Sequence, residues 1–251
     1  MSGHSHWSTI QRKKGATDAK RAKLFTKLSR EIATAARDGG VSVEFNPSLR
    51  LAVQRAKDAG MPNDNIDRTL KKIAGGDNGD ALEEIWYEGY GIGGVAILVQ
   101  ALTDNRNRTS NEVRSTFSRQ GGNIGEVGSV NWIFDNTGTI VVEGNEEELE
   151  EIALSAIDAG AEDVGDPYSG QLEVYTAPGQ LEAVREAMAE QGAKVVQAEI
   201  TMRPKTQVEL EVSAAKQNLR LLERLDELDD VQQVYTNADF PAEVLEDAAA
   251  V

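Results

Sequence analysis

Apolar residues recur every three or four positions through the first third of the chain, which is the spacing of helices that bury one face. The pattern predicts a helix over 18–39, ended by paired glycines. Asn46 followed by Pro47 is a typical helix start, so a second helix is predicted over 47–60, and a third follows over 63–75. Three short amphipathic helices can bury one another's apolar faces.

The spacing changes to alternation after the linker GGDNGD at 75–80. Strands are predicted at 85–90, 95–102 and 129–134, and a helix at 110–120. Residues 139–202 then have the order strand, helix, strand, strand, helix, strand, which is that of a ferredoxin-like fold. A helix over 213–228 and a strand over 231–235 make a poor core alone, so we expect them to complete the sheet that begins near residue 80.

The predicted fold class is therefore α+β, with a helical amino-terminal domain and two α/β (ferredoxin-like) domains, the second inserted into the first. The predicted boundaries are 1–78 for the basic helical domain, 79–136 and 205–251 for the discontinuous α/β domain, and 137–204 for the inserted acidic domain.

Charge divides the chain at the same linker. Residues 1–76 hold 15 Lys/Arg and 7 Asp/Glu, a net charge of +8, whereas the remaining residues hold 11 and 35, a net charge of −24. A polyanion within about 8 Å responds to the local basic surface more than to the charge of the whole protein. The amino-terminal part is therefore the expected nucleic-acid surface.

The expected contact residues lie in an unpatterned arm and on one face of the first helix. In the arm, Trp7 stands among cationic side chains and imidazoles, a combination that can neutralise phosphates and stack on a base. On the helix, four cations form a stripe about 130° from the apolar face, whereas Arg21 falls within the apolar sector and is expected to pack or to pair with a carboxylate. The candidate nucleic-acid-binding residues are His4, His6, Trp7, Arg12, Lys13, Lys14, Lys20, Lys23, Lys27 and Arg30.

Two other interpretations of this region stay open. The arm can be a solvated tail with Trp7 folded onto the helices, and a basic amphipathic helix can lie on an anionic membrane. His4 and His6 lack the further ligands that a metal site needs, so neither a metal site nor a cofactor is expected.

A second anion contact is predicted at DNRNRT, residues 104–109, where a strand ends and a helix begins. Arg106, Arg108 and Arg114 can meet phosphate there, because helix amino termini and arginines both attract anions. The alternative is an internal network in which Asp104 pairs with these arginines.

No catalytic chemistry is predicted. GYGIGG at 89–94 precedes a strand and lacks the lysine of a phosphate-binding loop, so it is interpreted as a turn, and 121–130 as a tight loop without chemistry of its own. Both histidines lie in the arm, no carboxylate pair stands out, and cysteine is absent. The longest apolar run, 95–99, is far shorter than the roughly 20 residues of a membrane span, so a soluble, cytoplasmic protein is expected.

Five stretches, in order, cover nearly the whole chain: GHSHWSTIQRKKGATDAKRAKLFTKL, NPSLRLAVQRAKDAGMPNDNIDRTLKKIAGG, YEGYGIGG, LTDNRNRTSNEVRSTFSRQGGNIGEVGSV and DVQQVYTN. In them the chain resembles the YebC/PmpR family, which includes the mitochondrial translational activator of cytochrome c oxidase. The resemblance implies a helical domain with two α/β domains, and a role as a DNA-binding transcriptional regulator or a ribosome-associated translation factor. The chain departs at His6 and Gln11, where the family has lysine, at Ala22, where glycine is common, and at Ile92, where proline is found.

The sequence is best interpreted as a non-catalytic nucleic-acid-binding regulator of gene expression, with DNA or ribosomal RNA as partner and a monomer favoured. One alternative is a translation factor that binds the ribosome through the same surface. Another is a protein-binding adaptor that works through the acidic domains, onto which the basic arm merely docks.

Overall fold

The computed structural model describes residues 18–76 and 82–249. The predicted arm contacts His4, His6, Trp7, Arg12, Lys13 and Lys14 lie outside these residues, as does the side chain of Lys20. The helical domain consists of α1 (Asp18–Gly39), α2 (Pro47–Asp58) and α3 (Asn63–Ala74). Asn46 caps α2, because its Oδ1 accepts from the Leu49 amide at 3.0 Å while its Nδ2 donates to the Ala35 carbonyl of α1 at 2.7 Å.

The core of the helical domain uses only part of the apolar face of α1. Leu28 and Ile32 are buried against Leu49 and neighbouring side chains of α2 and α3. Leu24, one turn earlier, is 41% exposed, and Arg21 is exposed as well. Arg21 therefore does not pack into the core, because full burial of α1 begins only at Leu28. Its pairing with a carboxylate such as Asp18 stays a prediction, since the Asp18 side chain lies outside the described residues.

The discontinuous α/β domain combines two distant segments of the chain. The first contributes β1 (Glu83–Tyr90), β2 (Ala96–Thr103), α4 (Arg106–Arg119) and β3 (Asn123–Ile124). The second contributes β8 (Val208–Glu209), α7 (Val212–Asp226), β9 (Val231–Thr236), β10 (Ala238–Asp239) and α8 (Ala242–Ala249). Its sheet has the antiparallel order β3-β1-β2-β9, and the turn between β1 and β2 is the predicted GYGIGG segment.

The inserted domain has the predicted strand and helix order. Its elements are β4 (Phe134–Glu143), α5 (Glu146–Asp158), β5 (Asp163–Val164), β6 (Gln171–Thr176), α6 (Leu181–Glu190) and β7 (Lys194–Pro204). The strands pair antiparallel in the order β5-β6-β4-β7, which is the ferredoxin-like arrangement. The mixed fold class with a helical amino-terminal domain is thus confirmed.

Two predicted boundaries differ from the structure. The strand predicted over 129–134 is a short 3₁₀ turn over Asn131–Ile133, and the strand begins only at Phe134. The helix predicted from residue 110 begins at Arg106, because the Asn105 side chain accepts from the Arg108 amide at 3.1 Å and caps the helix earlier.

The helical domain contacts both other domains. Leu51 of α2 packs against the core of the inserted domain, and Arg55 of α2 pairs with Glu199 of β7. Near this junction, Trp86 of β1 stacks on Tyr235 of β9 with ring centroids 6.2 Å apart. None of the helices in the described ranges is long and apolar enough to cross a membrane.

Candidate nucleic-acid interface

The basic stripe on α1 faces another part of the same chain. Lys23, Lys27 and Arg30 are spaced by four and three residues, so they share one face of the helix. All three side chains reach residues 226–230, where α7 ends and β9 begins. We call this Asp-Glu-Leu-Asp-Asp segment the acidic turn.

The two lysines each meet a backbone carbonyl and a carboxylate of the acidic turn. Lys23 donates to the Glu227 carbonyl, and its Nζ lies 3.3 Å from Asp229 Oδ1. Lys27 donates to the Asp226 carbonyl at 2.9 Å and to Asp226 Oδ1 at 2.8 Å. The Lys27 side chain is only 12% exposed, so the acidic turn covers it almost completely.

Arg30 extends these contacts to a buried carboxylate. Its Nη1 donates to the Asp229 carbonyl at 2.5 Å and to Asp230 Oδ1 at 3.3 Å. The Asp230 side chain is 3% exposed, and its other oxygen accepts from Arg108 Nη2 at 2.6 Å and Thr109 Oγ1 at 2.7 Å. Asp230 therefore joins the basic stripe to the DNRNRT segment.

These contacts hold Asp230 charged. Burial raises the pKa of its carboxyl, but hydrogen bonds from Arg108, Thr109 and Thr103 outweigh burial and hold that pKa below its ordinary value. Hydrogen bonds to Asp230 and Asp104 in turn raise the pKa of Arg108. Asp230 and Arg108 therefore form an ion pair at neutral pH.

At DNRNRT, one of the three arginines, Arg108, takes part in an internal network with Asp104. Arg108 pairs with Asp104 at 2.7 Å as well as with Asp230, so its charge is met within the chain. Arg106 lies 3.2 Å from Glu83 in an exposed pair, and Arg114 is exposed on α4. Contact of Arg106, Arg108 and Arg114 with an anion stays a prediction.

The stripe was predicted as a surface offered to nucleic acid, and its charge is instead met by the acidic turn. The reason is electrostatic, since the last carbonyls of a helix followed by carboxylates form an anionic site of their own. Contact of Lys23, Lys27 and Arg30 with nucleic acid stays a prediction.

Sequence reasoning missed a cationic surface on the other helices of the amino-terminal domain. Lys57 at the end of α2 and Arg68, Lys71 and Lys72 on α3 are exposed. Their regular helical spacing was visible in the sequence, but Asp64 and Asp67 lie among them and reduce the local charge.

Glu88 is a second residue that sequence reasoning missed. This carboxylate of β1 is 6% exposed and accepts from the backbone amides of Gly128, Val130 and Asn131 at 2.6, 2.7 and 2.8 Å. Burial raises its pKa, and the three amide hydrogen bonds outweigh burial and lower it. Glu88 thus holds the end of the 121–130 loop, which was interpreted as having no chemistry, through these three hydrogen bonds. Trp132 follows this loop directly and is 68% exposed.

A cavity of about 710 Å³ lies in the inserted domain, at the ends of α5 and α6. Its lining includes the carboxylates of Glu143, Glu148 and Glu151, together with Lys194, which is 2.8 Å from Glu143 Oε2. This lining repels phosphate, so the cavity is not a nucleic-acid site. Over the described ranges, acidic and imidazole groups nowhere cluster in a way that could hold a metal ion.

Fold and surface together define a class of protein: a three-domain α+β protein whose cationic helical domain is docked on two acidic α/β domains. The chain belongs to the TACO1/YebC family. Residues 5–76 match the family model of the TACO1/YebC amino-terminal domain, and residues 82–238 match that of the second and third domains.

Relatives of similar length are named as regulatory proteins. A probable transcriptional regulatory protein from Dehalococcoides mccartyi is 52% identical over 246 residues, covering 98% of each chain. One from Moorella thermoacetica is 51% identical over 248 residues, again covering 98% of each. These names indicate a regulatory protein rather than an enzyme.

A solved structure has the same fold. The crystal structure of a conserved hypothetical protein from Aquifex aeolicus is 47% identical, with a TM-score of 0.83 over 91% of this chain and 94% of that one.

Proposed function

We propose that the protein is a non-catalytic regulator of gene expression that binds nucleic acid in the cytoplasm, with DNA as the first candidate. The observation that carries this proposal is the division of charge, from +8 over residues 1–76 to −24 over the rest of the chain. The relatives named probable transcriptional regulatory proteins support a regulatory role.

The proposed surface combines the arm with α1. It consists of His4, His6, Trp7, Arg12, Lys13, Lys14, Lys20, Lys23, Lys27 and Arg30, with Arg106, Arg108 and Arg114 as secondary contacts. Cations reach phosphate oxygens rather than base edges, so these residues position the protein and give weak sequence preference.

Charge reversal tests this surface. Replacing Lys13, Lys14 and Lys20 with glutamate removes three phosphate contacts and adds repulsion, so affinity for duplex DNA or RNA is expected to fall by more than about 100-fold at 0.15 M salt. Arg119→Glu/Arg220→Glu, which changes exposed arginines of the acidic part, is the control. Unchanged affinity of the triple variant, with a native circular dichroism spectrum, contradicts the proposal.

Ribosomal RNA satisfies the same phosphate chemistry, so a translational role is the alternative within this proposal. A sucrose gradient of cell lysate separates the two. Co-migration with ribosomes that RNase abolishes indicates the translational role, whereas absence from ribosomes together with shifts of DNA fragments at physiological salt indicates transcription.

A protein-binding adaptor is a second candidate, favoured by the docking of Lys23, Lys27 and Arg30 onto the acidic turn. In an adaptor the basic region serves only to hold the domains together. The Lys13, Lys14 and Lys20 reversals then leave co-purification of the protein partner unchanged. Loss of that partner in the same variant counts against the adaptor.

A further inference from the structure

The acidic turn presents α1 with the kind of groups that a phosphate backbone presents. The carbonyl oxygens of Asp226, Glu227 and Asp229 accept from the stripe, and the carboxylates of Asp226, Asp229 and Asp230 lie within ion-pair distance of it. Carbonyl and carboxylate oxygens are acceptors without a hydrogen to donate, as are the oxygens of a phosphodiester. The stripe is therefore matched to an anion, and in this structure the anion is part of the chain.

The acidic turn is also unfavourable without a cationic partner. The carboxyl end of a helix carries partial negative charge and favours cations, yet α7 ends in Asp226, with Glu227 next. Arg224 offsets one of these charges, with its Nη1 2.7 Å from Glu227 Oε2. The cations of α1 relieve the remaining repulsion, so charge contributes to holding the two domains together.

The contact is one that a polyanion can displace. Asp229 is 86% exposed where it meets Lys23, and Asp226 is 37% exposed where it meets Lys27. Exposed ion pairs such as Lys23–Asp229 are weak and are screened by salt, whereas the Lys27–Asp226 pair is partly buried on the lysine side. Asp230 differs because the bonds from Arg108, Thr103 and Thr109 all go to its Oδ2, whereas Arg30 bonds to Oδ1. Release of α1 therefore removes the bond to Oδ1 and leaves the bonds to Oδ2 within the α/β domain in place.

We propose that the acidic turn competes with nucleic acid for the basic stripe. Nucleic acid then contacts Lys23, Lys27 and Arg30 only when the turn is released from α1. This inference rests on the proposed function, because it concerns the regulation of the same surface. While the acidic turn contacts α1, weak and non-specific binding of nucleic acid is suppressed.

Neutralising the exposed part of the turn tests this competition. Asp226→Asn/Asp229→Asn removes two carboxylates and leaves the buried Asp230 in place. Affinity for fluorescein-labelled RNA and duplex DNA is expected to rise by about 3- to 10-fold, the range set by the loss of one exposed and one partly buried ion pair. Glu147→Gln/Glu150→Gln on the exposed face of α5 makes the same change in net charge away from α1 and is expected to alter affinity by less than about 2-fold.

A distance measurement detects the release itself. The chain has no cysteine, so spin labels attach only at the two positions introduced by Asp38→Cys/Gln217→Cys. One label is on α1 and the other on α7, both at exposed positions. Saturating oligonucleotide is expected to lengthen the distance between the labels by about one Debye length, ~8 Å, or more. Asp226→Asn/Asp229→Asn on this background is expected to broaden the distribution before any ligand is added.

The outcomes separate this inference from the proposed function. Tighter binding by Asp226→Asn/Asp229→Asn, with a longer label distance on ligand addition, supports the competition. If the unmodified chain binds and both double variants bind with the same affinity, the competition is overturned and the proposed function stands. The same holds if the label distance does not change at saturation. Absence of binding by the unmodified chain and by Asp226→Asn/Asp229→Asn alike overturns both.

Discussion

Arg55 Nη2 lies 2.6 Å from Glu199 Oε2, which joins a helix of the amino-terminal domain to a strand of the inserted domain. The other terminal nitrogen of Arg55 donates to Glu31 of α1 at 2.8 Å. Burial alone lowers the pKa of Arg55, and the charges of Glu199 and Glu31 outweigh burial and raise it. Burial and Glu199 raise the pKa of the nearby Tyr235 of β9. The three domains therefore meet around one cation whose side chain is only 18% exposed.

Removal of Arg55 should destabilise this junction. In Arg55→Ala, Glu31 and Glu199 lose their shared cation in a partly buried site, which is expected to cost about 3 kcal/mol of unfolding free energy. Chemical denaturation followed by circular dichroism measures the change. Arg68→Ala, at an exposed position of α3, is the control and is expected to alter stability by less than about 0.5 kcal/mol. Equal stability of the two variants contradicts the account.

Asp230→Asn should lower the free energy of unfolding by about 2 kcal/mol at neutral pH. The reason is that an uncharged amide accepts hydrogen bonds from Arg108, Thr103 and Thr109 more weakly than a carboxylate does. The pKa of Asp230 is lower in the folded protein than in the unfolded one. Its contribution is therefore fully present above the unfolded pKa of about 3.9, and it is lost as pH falls through the folded pKa.

The pH dependence of unfolding checks this sign. The difference in unfolding free energy between the unmodified chain and Asp230→Asn is expected to be constant above about pH 5 and to shrink below about pH 4. A difference that widens on acidification contradicts the assignment of Asp230 as the charged centre of the network.

Glu88→Gln should loosen the loop that carries Trp132. A glutamine side chain offers one acceptor oxygen in place of two, so the amides of Gly128, Val130 and Asn131 cannot all be satisfied, at an expected cost of about 1–3 kcal/mol. Amide hydrogen exchange at these positions is expected to accelerate relative to the unmodified chain. Glu126→Gln, an exposed change in the same loop, should leave the exchange rates unaltered. Acceleration of equal size in both variants rules out the role given to Glu88.

The sequence predicted the elements that depend on local signals. Asn46 and Pro47 mark the start of α2, and the return of the chain after 205 to complete the first sheet followed from the poor core that its helix and strand make alone. The strand predicted over 129–134 was wrong because apolar residues near a strand start give no sign of the 3₁₀ turn that precedes Phe134.

The partner of the stripe could not be predicted, because about 200 residues separate Arg30 from Asp230 and no local pattern links them. One signal was present in the sequence. The run Asp226 to Asp230 places four carboxylates at the carboxyl end of a helix, where cations are favoured, and such a run needs positive charge from elsewhere. Glu88 gave no signal, since an acidic residue within a strand is ordinarily exposed.

The salt dependence of nucleic-acid affinity tests the central claim most directly. If the arm and α1 neutralise about six phosphates, the logarithm of the association constant falls with the logarithm of salt concentration with a slope near −4 for single strands and near −5 for duplex DNA. Lys13→Glu/Lys14→Glu is expected to reduce the magnitude of that slope by about 2. A slope near zero, or one that this variant leaves unchanged, contradicts the claim that the basic amino-terminal region binds the phosphate backbone.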